Sequence, residues 1–282
     1  MIQTLNLKQR LTDAKARGYA IGAFNIFNYI SIKAVLEVAD ELKAPVMLQT
    51  SMSTVRKFGA SELFRMVCLL RRHRAVILHL DHCTDLGMAR ECIDLGWDSV
   101  MIDLSAKSFD ENVAGTLEIK RLAQSKGVSV EGELGVIRGV EDHISSDVES
   151  QPSFQKAMEF IGLTNVDAFA PAIGTAHGLY KEAVKINYGL VKELSNATDI
   201  PVVIHGGTGL SEEQFRRLIE NGAAKINVST ALKQAYLKAL QEYLKQNGTD
   251  ADPLKLDMYA EAELRHTVKQ HVRYFGAAGA AQ

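Results

Sequence analysis

The chain has 282 residues, a length that a single α/β barrel commonly reaches and that can bury a large core. Its 32 Lys and Arg nearly balance 34 Asp and Glu, so the near-neutral charge and the lack of a long basic run argue against a nucleic-acid or membrane partner. The three cysteines form no C-x-x-C pair, and the sequence contains neither a signal core nor an apolar run of membrane-spanning length. We therefore expect one cytoplasmic domain, residues 1–282.

Short apolar runs alternate with longer amphipathic stretches along the chain. The runs predict eight strands, at residues 20–24, 46–49, 76–80, 99–103, 128–133, 168–170, 202–205 and 225–228. The stretches between them predict helices at residues 32–42, 62–72, 86–95, 112–125, 154–161, 189–196, 212–221 and 231–246. Eight alternating units predict an α/β fold, a (β/α)8 TIM barrel, because eight parallel strands close into a barrel. An extra C-terminal helix at 254–274 is expected to leave the barrel, and the Gly-Ala tail to fray.

Polar residues follow nearly every predicted strand, at the barrel edge where TIM-barrel enzymes place their chemistry. In chain order they are Asn25, Ser51, Asp81 with His82, Asp103 with Ser105, Glu133, His177, His205, and Asn227 with Ser229 and Thr230. Turns favour Gly, Asn, Asp and Ser, so three histidines exceed what turn chemistry requires. Three imidazoles that leave one position open form a catalytic zinc site, which makes His82, His177 and His205 candidate ligands.

Each histidine also has a simpler interpretation. Taken alone, Asp81 and His82 would be an aspartate that begins a turn and a histidine bonded to a carbonyl. His79 lies two residues before Asp81 on the same strand, and we interpret it as a packed, hydrogen-bonded side chain. The others lie in helical or loop stretches, and most are expected to be solvated: His73, His143, His266 and His271.

Two glycine-rich corners near the end of the chain predict a phosphate site. The segment His-Gly-Gly-Thr-Gly at 205–209 precedes a helix that begins near Ser211, so backbone N–H groups and the helix N-terminus can bind an anion. The segment Asn-Val-Ser-Thr at 227–230 adds side-chain donors. Loops after the seventh and eighth strands are the frequent phosphate site of TIM barrels. A tight turn is the alternative for either corner alone.

The segment 135–143 leaves the fifth strand with two glycines and a carboxylate, Glu141. This composition suits a flexible loop that closes over the site and carries a proton-transfer group. A solvated acidic loop is the alternative.

Seven ordered motifs resemble the class II, zinc-dependent ketose-bisphosphate aldolases. They are His-Leu-Asp-His at 79–82, Ser-Val-Met-Ile-Asp at 99–103, Glu-Gly-Glu-Leu-Gly at 131–135, Gly-Val-Glu-Asp at 139–142, Pro-Ala-Ile-Gly-Thr-Ala-His-Gly at 171–178, His-Gly-Gly-Thr-Gly at 205–209 and Asn-Val-Ser-Thr at 227–230. The resemblance spans about residues 19–236. It implies reversible cleavage of a small sugar phosphate, of the fructose or tagatose 1,6-bisphosphate type, to dihydroxyacetone phosphate and a three-carbon aldehyde.

The resemblance also implies residue roles. His82, His177 and His205 match the zinc ligands, and Asp103 and Glu133 match positions at a second or alternative metal location. Asp81 matches the general acid–base at the C4 hydroxyl, and Glu141 the mobile-loop carboxylate that exchanges a proton with the dihydroxyacetone phosphate carbon. The segments expected to bind phosphate, beside a Na⁺ or K⁺ ion, contain Gly178, Lys181, Gly206, Gly207, Thr208, Asn227, Ser229 and Thr230.

Relatives also take an arginine from the C-terminal helix, often that of a partner subunit. Arg265 and Arg273 are the candidates here, and a homodimer or homotetramer is expected.

Departures from the family pattern leave the substrate open. Many relatives have Asp or Gly at the positions of Leu104, Arg138, Ser229 and Ala231, and segment 49–56 matches neither the fructose- nor the tagatose-bisphosphate enzymes. In that segment Ser51 and Arg56 are candidates for binding a C6 anion. A C6 sulfonate is the alternative to a phosphate, and would make the substrate 6-deoxy-6-sulfofructose 1-phosphate and one product sulfolactaldehyde.

Two further hypotheses come from other classes. A Schiff-base aldolase would need a lysine in a desolvated pocket, for which Lys225 and Lys181 are candidates. A non-catalytic sugar-phosphate sensor would keep the phosphate corners and would have no need of Asp81.

Overall fold

The computed structural model describes residues 5–71, 76–141, 144–146, 150–178 and 184–281. Eleven strands lie within these ranges: β1 Ile21–Asn25, β2 Val46–Ser51, β3 Ile77–Cys83, β4 Ser99–Ile102, β5 Ser129–Leu134, β6 Arg138–Glu141, β7 Ile144–Ser146, β8 Ala168–Pro171, β9 Ala176–His177, β10 Val202–Ile204 and β11 Ala223–Val228. Eight of them form a closed barrel in the order β1-β11-β10-β8-β5-β4-β3-β2, and all neighbouring pairs are parallel. The predicted TIM barrel is confirmed.

The helices of the described residues surround this barrel. They are α1 Leu7–Ala16, α2 Tyr29–Glu41, α3 Met52–Phe58, α4 Ala60–Arg71, α5 Leu86–Leu95, α6 Phe109–Lys126, α7 Phe154–Thr164, α8 Tyr188–Ala197, α9 Glu212–Glu220, α10 Thr230–Asn247 and α11 Pro253–Tyr274, with a 3-10 turn at Gly248–Asp250. Local sequence sets several boundaries: α6 begins with a capping box between Ser108 and Glu111 and ends at the left-handed Gly127. Two helices, α1 and α3, were not predicted.

Every residue of the eight barrel strands is buried. The outward side chains pack under the helices, and the inward ones fill the barrel, which is why these strands have continuous apolar runs instead of alternating patterns. The carboxyl ends of the strands form one edge of the barrel, and the predicted polar residues lie there.

Three short strands form a second sheet beside this edge. Strands β6 and β7 pair antiparallel, and β9 pairs in parallel with β6, so that Gly139 lies opposite His177. The prediction of a loop at 135–143 was therefore wrong for β6, and β7 was not predicted. The pairing links the segment that contains Glu141 to the strand that contains His177.

The C-terminal helix packs against the barrel layer instead of leaving it. Arg265 of α11 forms ion pairs with Glu37 and Glu41 of α2. The tail after α11 does not fray as expected: the N–H of Gly279 donates to the carbonyl of Leu42, and Ala277 and Ala280 are buried. Peptide groups at the end of α2 thus hold the tail in place. Among the described helices, none has both the length and the apolar character that a membrane span requires.

Candidate active site

Three histidines that are distant in sequence meet at the carboxyl edge of the barrel. His82 lies near the end of β3, His177 ends β9, and His205 directly follows β10. The ring of His82 lies 4.8 Å from that of His177 and 4.5 Å from that of His205, measured between centroids. One nitrogen of each ring lies within 4.8 Å of the others, and all three residues are buried. His82 also has a φ of 44°, a left-handed conformation that is uncommon for a residue with a side chain.

Hydrogen bonds orient two of these rings. His82 Nδ1 lies 2.7 Å from Asp103 Oδ2, and His82 Nε2 lies 2.7 Å from His205 Nδ1. Burial disfavours a charge on His82, but the carboxylates of Asp81, Asp103 and Glu133 outweigh it and raise its pKa well above the usual value. Burial and the charge of His82 lower the pKa of His205 well below its usual value. In this arrangement His82 donates to His205, and a divalent ion that binds both nitrogens would replace that bond.

Two carboxylates lie against the histidines. Although burial alone would raise the pKa of Asp103, the hydrogen bond and positive charge of His82 hold it well below the usual range. Burial and the charge of Asp103 raise the pKa of Glu133 well above its usual value. Glu133 Oε2 lies 3.5 Å from His205 Nδ1 and accepts no hydrogen bond from the part of the chain that the structure describes. A buried oxygen of this kind fits a cation site, because a cation would satisfy it.

Asp81 is held by three amides at the centre of the site. Asn25 Nδ2 donates to its Oδ2 at 2.9 Å, Gln49 Nε2 to the same oxygen at 3.2 Å, and Asn227 Nδ2 to its Oδ1 at 3.2 Å. The carboxylate is 1% exposed and its orientation is fixed from three strands, β1, β2 and β11. Gln49 was not predicted as a site residue, although an amide inside an otherwise apolar strand was a usable signal.

The two predicted glycine-rich corners line one small pocket. It is lined by His177, Gly178, Gly206, Gly207, Thr208, Asn227, Ser229 and Thr230. Gly206 has a φ of 70°, and a Cβ there would come within 2.5 Å of the carbonyl oxygen of Ala176. Ser229 stands at the N-cap position of α10 but makes no side-chain capping bond, and its buried Oγ has no hydrogen-bond partner among the described residues. A small anion would find a hydroxyl and helix-terminal N–H groups here.

The remaining candidates are placed as follows. Ser51 ends β2 and lies opposite Asp81 in the strand register, so it reaches the same edge. Arg56 is exposed on α3, the helix that directly follows the carboxyl end of β2. Glu141 is the last residue of β6, and Lys181 lies outside the described residues.

Neither arginine candidate of the C-terminal helix lies at this edge of its own barrel. Arg265 pairs with α2 on the outside, and Arg273 precedes Phe275, whose carbonyl accepts from Ala20 at the amino end of β1. Of the other histidines, His79 is packed and bonded to Ser99 as predicted, whereas His271 is buried instead of solvated. His73 and His143 lie outside the described residues.

Comparison with known proteins agrees with this geometry. A family model described as class-II fructose-bisphosphate aldolase matches residues 5–280. The chain belongs to the class II fructose-bisphosphate aldolase family. It is 37% identical over 283 residues to the fructose-bisphosphate aldolase of Staphylococcus aureus strain Mu50, covering 99% of both chains, and 36% identical over 282 residues to that of Geobacillus stearothermophilus, covering 98% of both.

Solved structures of aldolases share the barrel. The YdjI aldolase of Escherichia coli K12 aligns with a TM-score of 0.87 at 28% identity over 99% of both chains. The fructose-bisphosphate aldolase of Campylobacter jejuni aligns with a TM-score of 0.82 at 22% identity, over 96% of this chain and 94% of that one, which supports the fold alone. The chain, as a member of the class II aldolase family, is therefore a lyase. Enzymes of this family generally depend on zinc.

Proposed function

We propose that this aldolase uses zinc to cleave a ketose 1-phosphate with an anionic C6 group, giving dihydroxyacetone phosphate and a three-carbon aldehyde. The observation that carries the proposal is the convergence of three buried imidazoles beside an amide-held carboxylate and the pocket between the glycine-rich corners. His82, His177 and His205 would hold the zinc, with Asp103 and Glu133 beside it. When bound, the zinc supplies Lewis acidity that stabilises negative charge on the substrate.

Side chains of the protein carry out the proton transfers and bind the phosphate. Asp81 removes the proton of the C4 hydroxyl in cleavage and returns it in condensation, with its oxygens aimed by the three amides. Glu141 is proposed to exchange a proton with the dihydroxyacetone phosphate carbon. The corner residues bind the C1 phosphate, together with Lys181 and a Na⁺ or K⁺ ion.

The C6 group distinguishes the candidate substrates. Fructose 1,6-bisphosphate is our first candidate because the similar proteins of Staphylococcus aureus and Geobacillus stearothermophilus are fructose-bisphosphate aldolases. Tagatose 1,6-bisphosphate differs from it only at C4. Sulfofructose 1-phosphate is the alternative, since Ser51 and Arg56 offer a hydroxyl and a cation that would accept either a phosphate or a sulfonate.

A coupled assay tests the substrate. The zinc-loaded protein is given each of the three substrates in turn, and dihydroxyacetone phosphate is followed through its reduction. We expect cleavage of at least one, and the largest kcat/KM identifies the substrate. A preference for sulfofructose 1-phosphate would select the alternative, and no cleavage of any of the three by zinc-loaded protein would contradict the proposal.

The Schiff-base hypothesis finds little support in the environment of Lys225. Lys225 is wholly buried, and its Nζ donates to both oxygens of Glu131, at 3.1 and 2.8 Å. A charged, paired amine is a poor nucleophile. Borohydride treatment in the presence of substrate should therefore trap no covalent adduct, and an adduct on Lys225 or Lys181 would revive that hypothesis.

We also propose that the protein is a homodimer or homotetramer that assembles through its C-terminal helices. Leu237 and Leu244 of α10 and Leu254 and Met258 of α11 are between 48% and 69% exposed, which is more apolar surface than isolated side chains provide. Light scattering should show that Leu254→Glu with Met258→Glu lowers the oligomer mass. The control Leu69→Glu, at a residue 74% exposed on α4, should not.

For the cellular location, the three cysteines are free thiols in the structure, which fits a reducing compartment. The cytoplasm remains our proposal for this reason.

A further inference from the structure

A layer of buried polar side chains lies directly below the candidate metal site, inside the barrel. It consists of four residues from four strands, all 0% or nearly 0% exposed: His79 on β3, Ser99 on β4, Glu131 on β5 and Lys225 on β11. Three of them precede a site residue by two positions, as His79 precedes Asp81. Because side chains alternate along a strand, members of each such pair point to the same side, into the barrel.

Glu131 is the centre of this layer. Its Oε1 lies 2.9 Å from His205 Nε2 and 3.1 Å from Lys225 Nζ, and its Oε2 lies 2.8 Å from the same Nζ. His79 Nε2 lies 3.8 Å from Oε2, and the other nitrogen of that ring lies 2.9 Å from Ser99 Oγ. The carboxylate is therefore paired with a fixed cation and also contacts a candidate zinc ligand.

The pairing determines which nitrogen of His205 carries the hydrogen. A carboxylate whose charge is balanced by a lysine has only acceptor atoms, so His205 Nε2 must donate to it. The hydrogen is then absent from Nδ1, whose lone pair points towards His82 Nε2 at 2.7 Å. Metal-binding histidines are commonly oriented in this way by a carboxylate on the far nitrogen.

We infer that Glu131, held by Lys225, is a positioning residue that keeps His205 in the tautomer able to bind the metal through Nδ1. This inference rests on the zinc site proposed above. It gives Lys225 a role that needs no reactive amine. It also gives the two carboxylates of the Glu-Gly-Glu segment different roles, because Glu133 lies beside the proposed metal position and Glu131 lies behind the metal ligand His205. Loss of such a partner typically weakens metal binding about 10- to 100-fold.

The test replaces the charged pair by apolar residues of similar size, in the double variant Glu131→Leu with Lys225→Met. Removing both members leaves no uncompensated buried charge, so we expect the variant to fold, with its Tm lowered only by the loss of the acceptor of His205 Nε2. The zinc dissociation constant, measured by competition with a chromophoric chelator, should nevertheless rise about 10- to 100-fold. Nitrogen-15 NMR of the imidazole rings should show the Nε2–H tautomer of His205 in the zinc-free wild type and its loss in the variant.

A second buried ion pair provides the matched control. Arg71 and Asp98 are paired and buried near the amino end of β3, where Asp98 also accepts from the N–H of Leu78. The variant Arg71→Met with Asp98→Asn should also fold, and it should leave zinc affinity unchanged.

Each outcome is decisive. If the wild type binds zinc and the Glu131→Leu, Lys225→Met protein binds it equally tightly, the layer only balances charge and the inference is wrong. If the wild type binds no zinc, the proposed metal site itself fails. Should the double variant not fold, the wild-type spectrum still decides, because an Nδ1–H tautomer of His205 would overturn the inference and an Nε2–H tautomer would support it.

Discussion

The substitution Asp81→Asn separates proton transfer from structure at the proposed site. The carboxylate accepts three amide N–H groups, whereas asparagine offers one oxygen and one N–H₂. Its oxygen can replace Oδ2, which already accepts from Asn25 and Gln49. Asn227 can then rotate its amide, because its Oδ1 is buried and accepts no hydrogen bond from the described residues. The site therefore tolerates asparagine. Each hydrogen bond whose acceptor loses its charge should lower the unfolding free energy by about 1 kcal/mol, so the three bonds together should lower it by up to about 3 kcal/mol.

The effect on catalysis should be larger than the effect on stability. An acid–base group contributes about 100- to 10,000-fold to a rate, which corresponds to about 2.7–5.5 kcal/mol of activation free energy. We expect kcat of zinc-loaded Asp81→Asn to fall by that factor while zinc content and far-ultraviolet circular dichroism stay unchanged. Asp81→Ala should likewise lose cleavage and keep zinc. Arg71→Met with Asp98→Asn, which neutralises another buried carboxylate together with its partner far from the site, is the control. A wild-type kcat in zinc-loaded Asp81→Asn would refute the assigned role.

Three further predictions address the metal, the second sheet and pH. Removal of metal by a chelator should abolish cleavage and Zn²⁺ should restore it, and activity that survives complete removal would favour a Schiff base. Gly139→Ala should weaken zinc binding in a chelator competition, since its Cβ would lie 2.2 Å from the carbonyl oxygen of His177, whereas Gly162→Ala on α7 meets nothing within 4 Å and should not. Burial lowers the pKa of His271, so as pH falls below about 6.5 the unfolded chain binds the proton first and stability decreases. The pKa values of His79 and His205 are lowered too, so urea titrations of His271→Gln should show a smaller decrease than the wild type.

The barrel was predictable because its strands are buried on both faces and therefore appear as isolated apolar runs. The same reasoning predicted the site, because whatever ends such a run must face the carboxyl edge. His82 and His205 are examples: nothing in their spacing suggests that they touch, and only the eightfold closure brings them together.

The elements that were missed are short or are defined by distant contacts. Helix α3 has seven residues, and β9 has two, which is too little sequence for a periodic pattern. Strand β6 has four residues and contains Gly139, so composition indicated a loop, and β7 has only three residues. The C-terminal tail reads as flexible because alanine and glycine carry no packing signal, but its backbone bonds to Leu42 and Lys43 hold it in place. Hydrogen bonds of this kind leave no trace in side-chain composition.

Most of the buried polar layer could have been predicted from the sequence, because side chains in a strand repeat every two residues. A residue two positions before a strand-end site residue points the same way and lies one layer deeper in the barrel. The positions two residues before Asp81, Glu133 and Asn227 are His79, Glu131 and Lys225, three of the four members of the layer. The position two residues before Ser51 is Gln49, which is also buried and polar. Apolar side chains would fill this space at no electrostatic cost, so polar ones here require another reason. In the structure Gln49 donates to Asp81, and Glu131 contacts His205. Lys225 pairs with Glu131, and His79 lies next to Glu131. The deeper layer is thus the support of the site, and the two layers are best read from the sequence together.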